Sequence, residues 1–147
     1  IYHHYALGRS VDGNMIPKPT SAIEATCRVI DNLTEQMIGS FSYRTPTAIV
    51  GSADITLNLK TTTDKLAVIA MFEEIEKVQS VKVIHNNTAP LVSLDFLQSE
   101  YSAIVDHRWT DVINGNLLKI VLWYDNEWGY SSRVVDQVHY VSEREVL

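Results

Sequence analysis

Cysteine occurs once in these 147 residues, at Cys27. A lone thiol forms no intrachain disulfide, so no disulfide framework staples the fold, and the usage fits a reducing compartment. Dense runs of lysine or arginine are missing as well. With 12 basic against 18 acidic residues, the net charge is −6, which argues against nucleic acid or an anionic membrane as a partner, since either needs a basic patch. No apolar run approaches the roughly 18 residues of a membrane span, and no charged start followed by an apolar stretch suggests a signal peptide. A cytoplasmic protein is the expectation. Repeats, low-complexity tracts and any Gly-x-Gly-x-x-Gly fingerprint are absent, so a complete dinucleotide-binding fold is not expected. The chain also lacks an initiator methionine. Ile1-Tyr2-His3-His4-Tyr5 reads like the middle of something longer, and the expectation is an N-terminally truncated domain covering residues 1–147, with 1–18 as a loop and 19–141 as the core.

A chain of this length can bury roughly 68–70% of the surface its unfolded form exposes. Its 46% hydrophobic and 20% charged content is that of an ordinary globular domain. Ser21-Ala22-Ile23-Glu24 spells a capping box, and Ile23, Cys27 and Ile30 share one helical face, predicting a helix over 21–33. Phe41 to Arg44 reads as a short strand broken by Pro46. From Ile49 to Lys60 apolar and polar residues alternate, as in a long strand with one buried face. Asp64 caps a second predicted helix whose stripe is Val68, Phe72 and Ile75. Further strands are expected at 81–84, 91–96, 103–105 and 117–124, with Asn86-Asn87 and Asn114-Gly115-Asn116 as turns. A closing helix is predicted over 131–141. Many strands, few helices and short connections argue for an α+β domain: a mostly antiparallel mixed sheet covered by helices on one face.

The stretch Trp123-Tyr124-Asp125-Asn126-Glu127-Trp128-Gly129-Tyr130 joins the apolar strand Leu117–Tyr124 to the last helix, whose stripe is Val134, Val138 and Val141. Polar groups between two buried elements must satisfy one another or serve a ligand, because an unpaired one costs about 1–3 kcal/mol. The bland reading is an Asx turn with core aromatics. Three further residues suit an anion. Thr20 stands at a predicted helix start, where free N–H groups and the dipole favour phosphate. Arg44 ends a strand and Arg9 lies in a glycine-bearing loop, and a guanidinium fork matches a phosphate. Taken alone, Thr20 reads as a plain N-cap and each arginine as a surface ion pair. His85, His107 and His139 have no metal-ligand spacing, and no metal is expected.

The segment WYDNEWGYSSRVVD, residues 123–136, closely resembles the C-terminal signature of the glyceraldehyde-3-phosphate dehydrogenase family, which includes erythrose-4-phosphate dehydrogenase. GRSVDGNMIPKPT (8–20), YRTPT (43–47) and PLVSLDF (90–96) are similar to further family segments, so the resemblance runs from about residue 9 to residue 141. It implies the C-terminal catalytic domain of a phosphorylating aldehyde dehydrogenase of glycolysis, a tetramer when intact. It implies that Thr20, Arg44 and Arg9 bind the phosphate of the sugar-phosphate aldehyde or inorganic phosphate. It also implies that Asn126, with Tyr130 beside it, serves the nicotinamide of NAD, with NADP left open. In the intact enzyme a cysteine attacks the aldehyde, hydride passes to NAD and phosphate cleaves the thioester.

Departures from the family pattern are Ser21 for the usual Gly, Thr45 for Val, and Ala48-Ile49 where Pro-Asn is common. Ser102 to Asp106, and His3-His4, lean toward the erythrose-4-phosphate branch. The family's nucleophile segment and its histidine base are not in this sequence. Cys27 does not stand in for the nucleophile, since it falls on a helix stripe where a small buried thiol is expected. No catalytic residue is therefore assigned to this chain, which is expected to be inactive alone. The reading from another class is a non-catalytic binding or oligomerisation module.

Overall fold

The computed structural model describes residues 5–144 and separates between Ala48 and Ile49 into two compact units. His3 and His4 lie outside the described residues.

In the first unit, β1 (Ile16–Lys18) pairs antiparallel with β2 (Ser42–Arg44), Ile16 opposite Arg44 and Lys18 opposite Ser42. The segment read as a loop up to residue 18 thus ends in a strand. With three residues and Pro17 at its centre, that strand is too short for any period to show. Between the two strands lie α1 (Ala22–Val29) and a 3-10 turn at Glu35–Met37. The expected capping box does not form: Ser21 has helical backbone angles (φ −80°, ψ −2°) and its hydroxyl makes no cap. Instead Thr20 Oγ1 accepts from the Ala22 N–H at 3.2 Å, while Glu24 pairs with Arg28 one turn on rather than reaching back. The helix stops four residues early because Ile30 turns extended and Asn32 adopts φ +69°. No residue of α1 is buried, and Cys27 is half-buried rather than a core thiol. A two-turn helix beside a two-stranded ribbon offers its apolar stripe little to pack on within the unit.

The second unit is built on one five-stranded sheet. Its elements are β3 (Gly51–Asn58), α2 (Lys65–Val78), β4 (Ile84–Asn87), β5 (Ala103–Asp106), β6 (Asp111–Ile113), β7 (Leu117–Tyr124) and α3 (Trp128–Arg144). The order is β3-β7-β5-β4, with β6 also paired to β7; only β4 and β5 run parallel. The fold is α+β with a mixed, mostly antiparallel sheet, as the pattern of elements predicts. β7 is the centre: β3 pairs with its whole length, while on its other side β6 pairs with residues 117–119 and β5 with 122–123. That position explains why every residue of the apolar run is buried or half-buried. Val68 of α2 packs with Leu118 and Ile120, joined by Ile55, Phe72 and Leu122. A second cluster gathers Val50, Phe96 and Ile104, with Trp123 packed against it.

Asp64 caps α2 as expected, its carboxylate accepting from the Ala67 N–H at 2.9 Å, but Ile75 is exposed. Asn86 and Asn87 are strand, not turn. Their amides are satisfied sideways, Asn86 on Phe72 O and Glu76, Asn87 on Ala89, which lets polar residues sit in a sheet. Residues 91–96 hold a 3-10 turn, Ser93–Phe96, rather than a strand, because Asp95 accepts from the Val92 N–H and bends the chain. β6, which sequence reasoning missed, turns into β7 through Asn114 (φ +52°) and Gly115 (φ +79°). The closing helix starts three residues earlier than expected, and Val134, Val138 and Val141 are exposed, not a buried stripe. Val50 carries φ +66°, which costs a β-branched residue about 1–3 kcal/mol; its burial against Phe96 and Ile104 offsets that strain.

Candidate cofactor and phosphate sites

β7 ends at Tyr124, and the next side chain, Asp125, is buried. Its Oδ1 accepts from the N–H groups of Glu127 (3.0 Å) and Trp128 (2.9 Å), and its Oδ2 from the N–H of Gln98 (2.9 Å). The carboxylate is therefore the cap that starts α3. Burial pushes its pKa up, but the three N–H donors outweigh this and hold it below the usual carboxylate value. Asn126 follows, exposed, and among the described residues its side-chain amide has no hydrogen-bond partner. It lines a cavity of about 260 Å³ together with Ser102, Tyr124, Gly129, Tyr130 and Arg133. Sequence reasoning named Asn126 and Tyr130, and the structure sets them on the same cavity.

Behind this junction the sheet carries buried polar groups. Asp106 takes a two-point contact from Arg108, with Nε to Oδ1 at 2.8 Å and Nη2 to Oδ2 at 2.5 Å, and a third bond from Trp123 Nε1 at 3.1 Å. Burial raises the Asp106 pKa, and Arg108 and Trp123 more than reverse it. His107 Nε2 lies 2.7 Å from Asn86 Oδ1, and Nδ1 lies 3.0 Å from Thr110 Oγ1. Because the Asn86 amide nitrogen donates to Phe72 O and Glu76, its oxygen must accept, so the His107 proton sits on Nε2. Burial depresses the His107 pKa below the usual imidazole value. Among the described residues no three His, Cys, Asp or Glu side chains gather as metal ligands would.

The anion candidates lie in the first unit. Arg44, exposed, stands opposite Ile16 in the ribbon, and Ile16 with Arg9 and Asn14 lines a separate cavity of about 170 Å³. Neither guanidinium has a side-chain partner among the described residues. Thr20 follows the other end of β1, at the start of α1, and its hydroxyl accepts from Ala22 while its proton remains available to donate. The register thus sets Arg44 at the Ile16 end and Thr20 beyond the Lys18 end.

The sequence matches the family described as glyceraldehyde 3-phosphate dehydrogenase, C-terminal domain, over residues 2–126. The chain belongs to the glyceraldehyde-3-phosphate dehydrogenase family. It is 36% identical to glyceraldehyde-3-phosphate dehydrogenase of Pleurotus sajor-caju, over 94% of this chain and 41% of that protein. To the cytosolic enzyme of Chlamydomonas reinhardtii it is 34% identical, over 93% of this chain and 40% of that protein. To glyceraldehyde-3-phosphate dehydrogenase 2 of Staphylococcus aureus (strain MRSA252) it is 38% identical, over 87% of this chain and 36% of that protein. The chain therefore spans about two-fifths of the relatives' length, 41% in the first case. These matches lend nothing to the erythrose-4-phosphate leaning of residues 102–106: Ile104, Val105 and Asp106 are buried, so packing accounts for that segment.

For this dehydrogenase family member, sequence reasoning missed three participants in the junction: Gln98, Ser102 and Arg133. Arg133 donates to Ser102 Oγ at 3.1 Å and to Lys82 O, and pairs with Asp136. Gln98 takes part through its backbone N–H, at φ +60°. A backbone donor leaves no trace in residue type, so only the three-dimensional arrangement reveals it. No helix is long and apolar enough to cross a membrane among the described residues.

Proposed function

We propose that this chain is the substrate-binding and cofactor-orienting part of a cytosolic, tetrameric, NAD-dependent enzyme that oxidises glyceraldehyde 3-phosphate to an acyl phosphate. The observation that carries the cofactor half is the amide of Asn126, without a partner among the described residues and exposed at the rim of a cavity lined by Tyr124 and Tyr130. An amide offers one acceptor and two donors, which complement the carboxamide of nicotinamide, and the aromatic walls suit a flat ring. NAD, when bound, supplies the hydride acceptor. What this chain contributes is binding and orientation, and fixing a reacting group in place is worth several kcal/mol of barrier.

The phosphate half rests on Arg9, Arg44 and Thr20. Two guanidinium groups near the Ile16 end of the ribbon, without a side-chain partner among the described residues, favour the dianionic phosphate of the aldehyde. Thr20, with the N–H groups at the start of α1, favours a second anion, inorganic phosphate. No catalytic residue is placed in this chain, since Cys27 is a half-buried thiol on a helix and lines neither cavity. The test is a dehydrogenase assay with NAD, inorganic phosphate and glyceraldehyde 3-phosphate, run on the full-length protein that carries this sequence and on the 147-residue chain. Turnover is expected from the first and none from the second. Turnover by the chain alone that disappears in Cys27→Ser would overturn the assignment.

A further inference from the structure

We infer that Asp125 and the loop Gln98–Ser102 act as a clamp that positions Asn126, making Asp125 a positioning residue for the nicotinamide; this rests on the Asn126 reading above. Three separate contacts tie that loop to Asp125 and the first two turns of α3. Gln98 donates its N–H to Asp125 Oδ2 at 2.9 Å. Gly129 packs so closely on Tyr101 that a Cβ there would stand 3.0 Å from the Tyr101 carbonyl oxygen. Arg133 reaches Ser102 Oγ at 3.1 Å. Gln98 holds φ +60°, a conformation that a non-glycine residue adopts only at a cost, and its N–H points at the carboxylate in that geometry.

A helix cap needs only one of the two carboxylate oxygens, and Oδ1 fills that role through Glu127 and Trp128. Oδ2 is left for the loop alone. The backbone of Asn126 is thus bracketed: the residue before it is anchored to the loop, and the two residues after it are anchored to the same carboxylate. Asn126 itself, with no side-chain partner among the described residues, takes its direction from that bracket. Asparagine or serine at position 125 keeps a cap acceptor but cannot satisfy Gln98 as a carboxylate does.

The experiment uses the full-length protein and two probes, NAD and ADP-ribose, which share everything except the nicotinamide. Dissociation constants are measured for Asn126→Ala, Asp125→Asn and Asp125→Ser. Asn126→Ala and both Asp125 variants are expected to weaken NAD by roughly 3- to 10-fold and leave ADP-ribose unchanged, the size of one lost hydrogen bond. If Asn126→Ala is selective for NAD and the Asp125 variants bind both probes normally, the clamp is wrong and the Asn126 reading stands. If Asn126→Ala leaves NAD binding intact, that reading fails and the clamp with it. Should both Asp125 variants fail to fold, replacing the Gln98 amide by an ester removes only the donor. It is expected to weaken NAD selectively, and unchanged NAD binding there overturns the clamp.

Discussion

Gly51 lies opposite Tyr124 in the β3–β7 ladder, and a Cβ on Gly51 would stand 2.6 Å from the Tyr124 ring carbon Cζ and 2.7 Å from its hydroxyl oxygen. The ring that walls the Asn126 cavity is laid flat over a residue with no side chain. Gly51→Ala must therefore displace that ring, and overpacking of this kind costs about 1–3 kcal/mol. Urea unfolding of the wild-type chain and the variant checks it. An unchanged or higher midpoint would mean that the Tyr124 ring is not held against the strand.

Trp123 offers a cleaner subtraction. Its indole N–H donates to buried Asp106 Oδ2 at 3.1 Å, and its ring stacks on Phe96 with centroids 5.7 Å apart. Trp123→Phe keeps an aromatic on Phe96 and removes the donor, so the loss should be about 1–3 kcal/mol from the weakened satisfaction of a buried carboxylate. In a Trp123→Phe, Asp106→Asn double variant the two effects should fall short of additive, because the groups share one bond. Additivity within about 0.5 kcal/mol would sink the pairing.

Acid should destabilise the protein in two stages. His107 has a depressed native pKa, because burial outweighs the opposing charges of Glu73, Asp106 and Glu76, with Lys65 adding to the depression. Its contribution is full above the unfolded value of about 6.5 and is lost as pH falls below that toward the native value. Asp106, Asp125 and Glu76 also have depressed pKa values, so their contributions are present above the ordinary carboxylate range and disappear as pH falls through their native values. Unfolding midpoints measured from pH 8 to pH 3 should decline first near about 6.5 and more steeply below about 4. His107→Gln should flatten the first decline and leave the second. A first decline that persists in that variant would assign it to another group.

The sequence made the second unit legible where its elements are long. The apolar run at 117–124 and the alternation after Ile49 appear as β7 and β3 because both bury enough side chain to impose their period. Among the short pieces, β2 and β5 were read and others escaped. β1, β4 and β6 are three or four residues each, and β4 is held by Asn86 and Asn87, whose types read as turn. The Ser21 capping box was misread because the local signal spells the motif, while the backbone at Ser21 is already helical. For the site, Asn126, Tyr130, Arg9, Arg44 and Thr20 were nameable from family-like segments. Gln98 was not, since its part is played by a backbone N–H that any residue carries.

The phosphate residues should separate by kinetics. Arg44 ends a strand and Thr20 stands at a helix start, an arrangement that allows either one shared phosphate or two separate ones. The ribbon register sets Arg44 opposite Ile16, beside the cavity that Arg9 lines, and leaves Thr20 beyond Lys18. Thr20 follows the last paired residue of β1, so the ladder does not set it opposite Arg44. Arg9→Ala and Arg44→Ala in the full-length protein are thus expected to raise the Michaelis constant for aldehyde phosphate by roughly 10- to 150-fold each, the range of a lost charged hydrogen bond. Thr20→Ala is expected to raise the constant for inorganic phosphate by roughly 5-fold, reflecting about 1 kcal/mol for a hydroxyl that also caps α1. Steady-state kinetics with each substrate varied separately distinguish the arrangements. If Thr20→Ala and Arg44→Ala raise the same constant, a single shared phosphate is the correct picture. If Arg44→Ala moves neither constant while the protein stays folded, Arg44 takes no part in binding either anion.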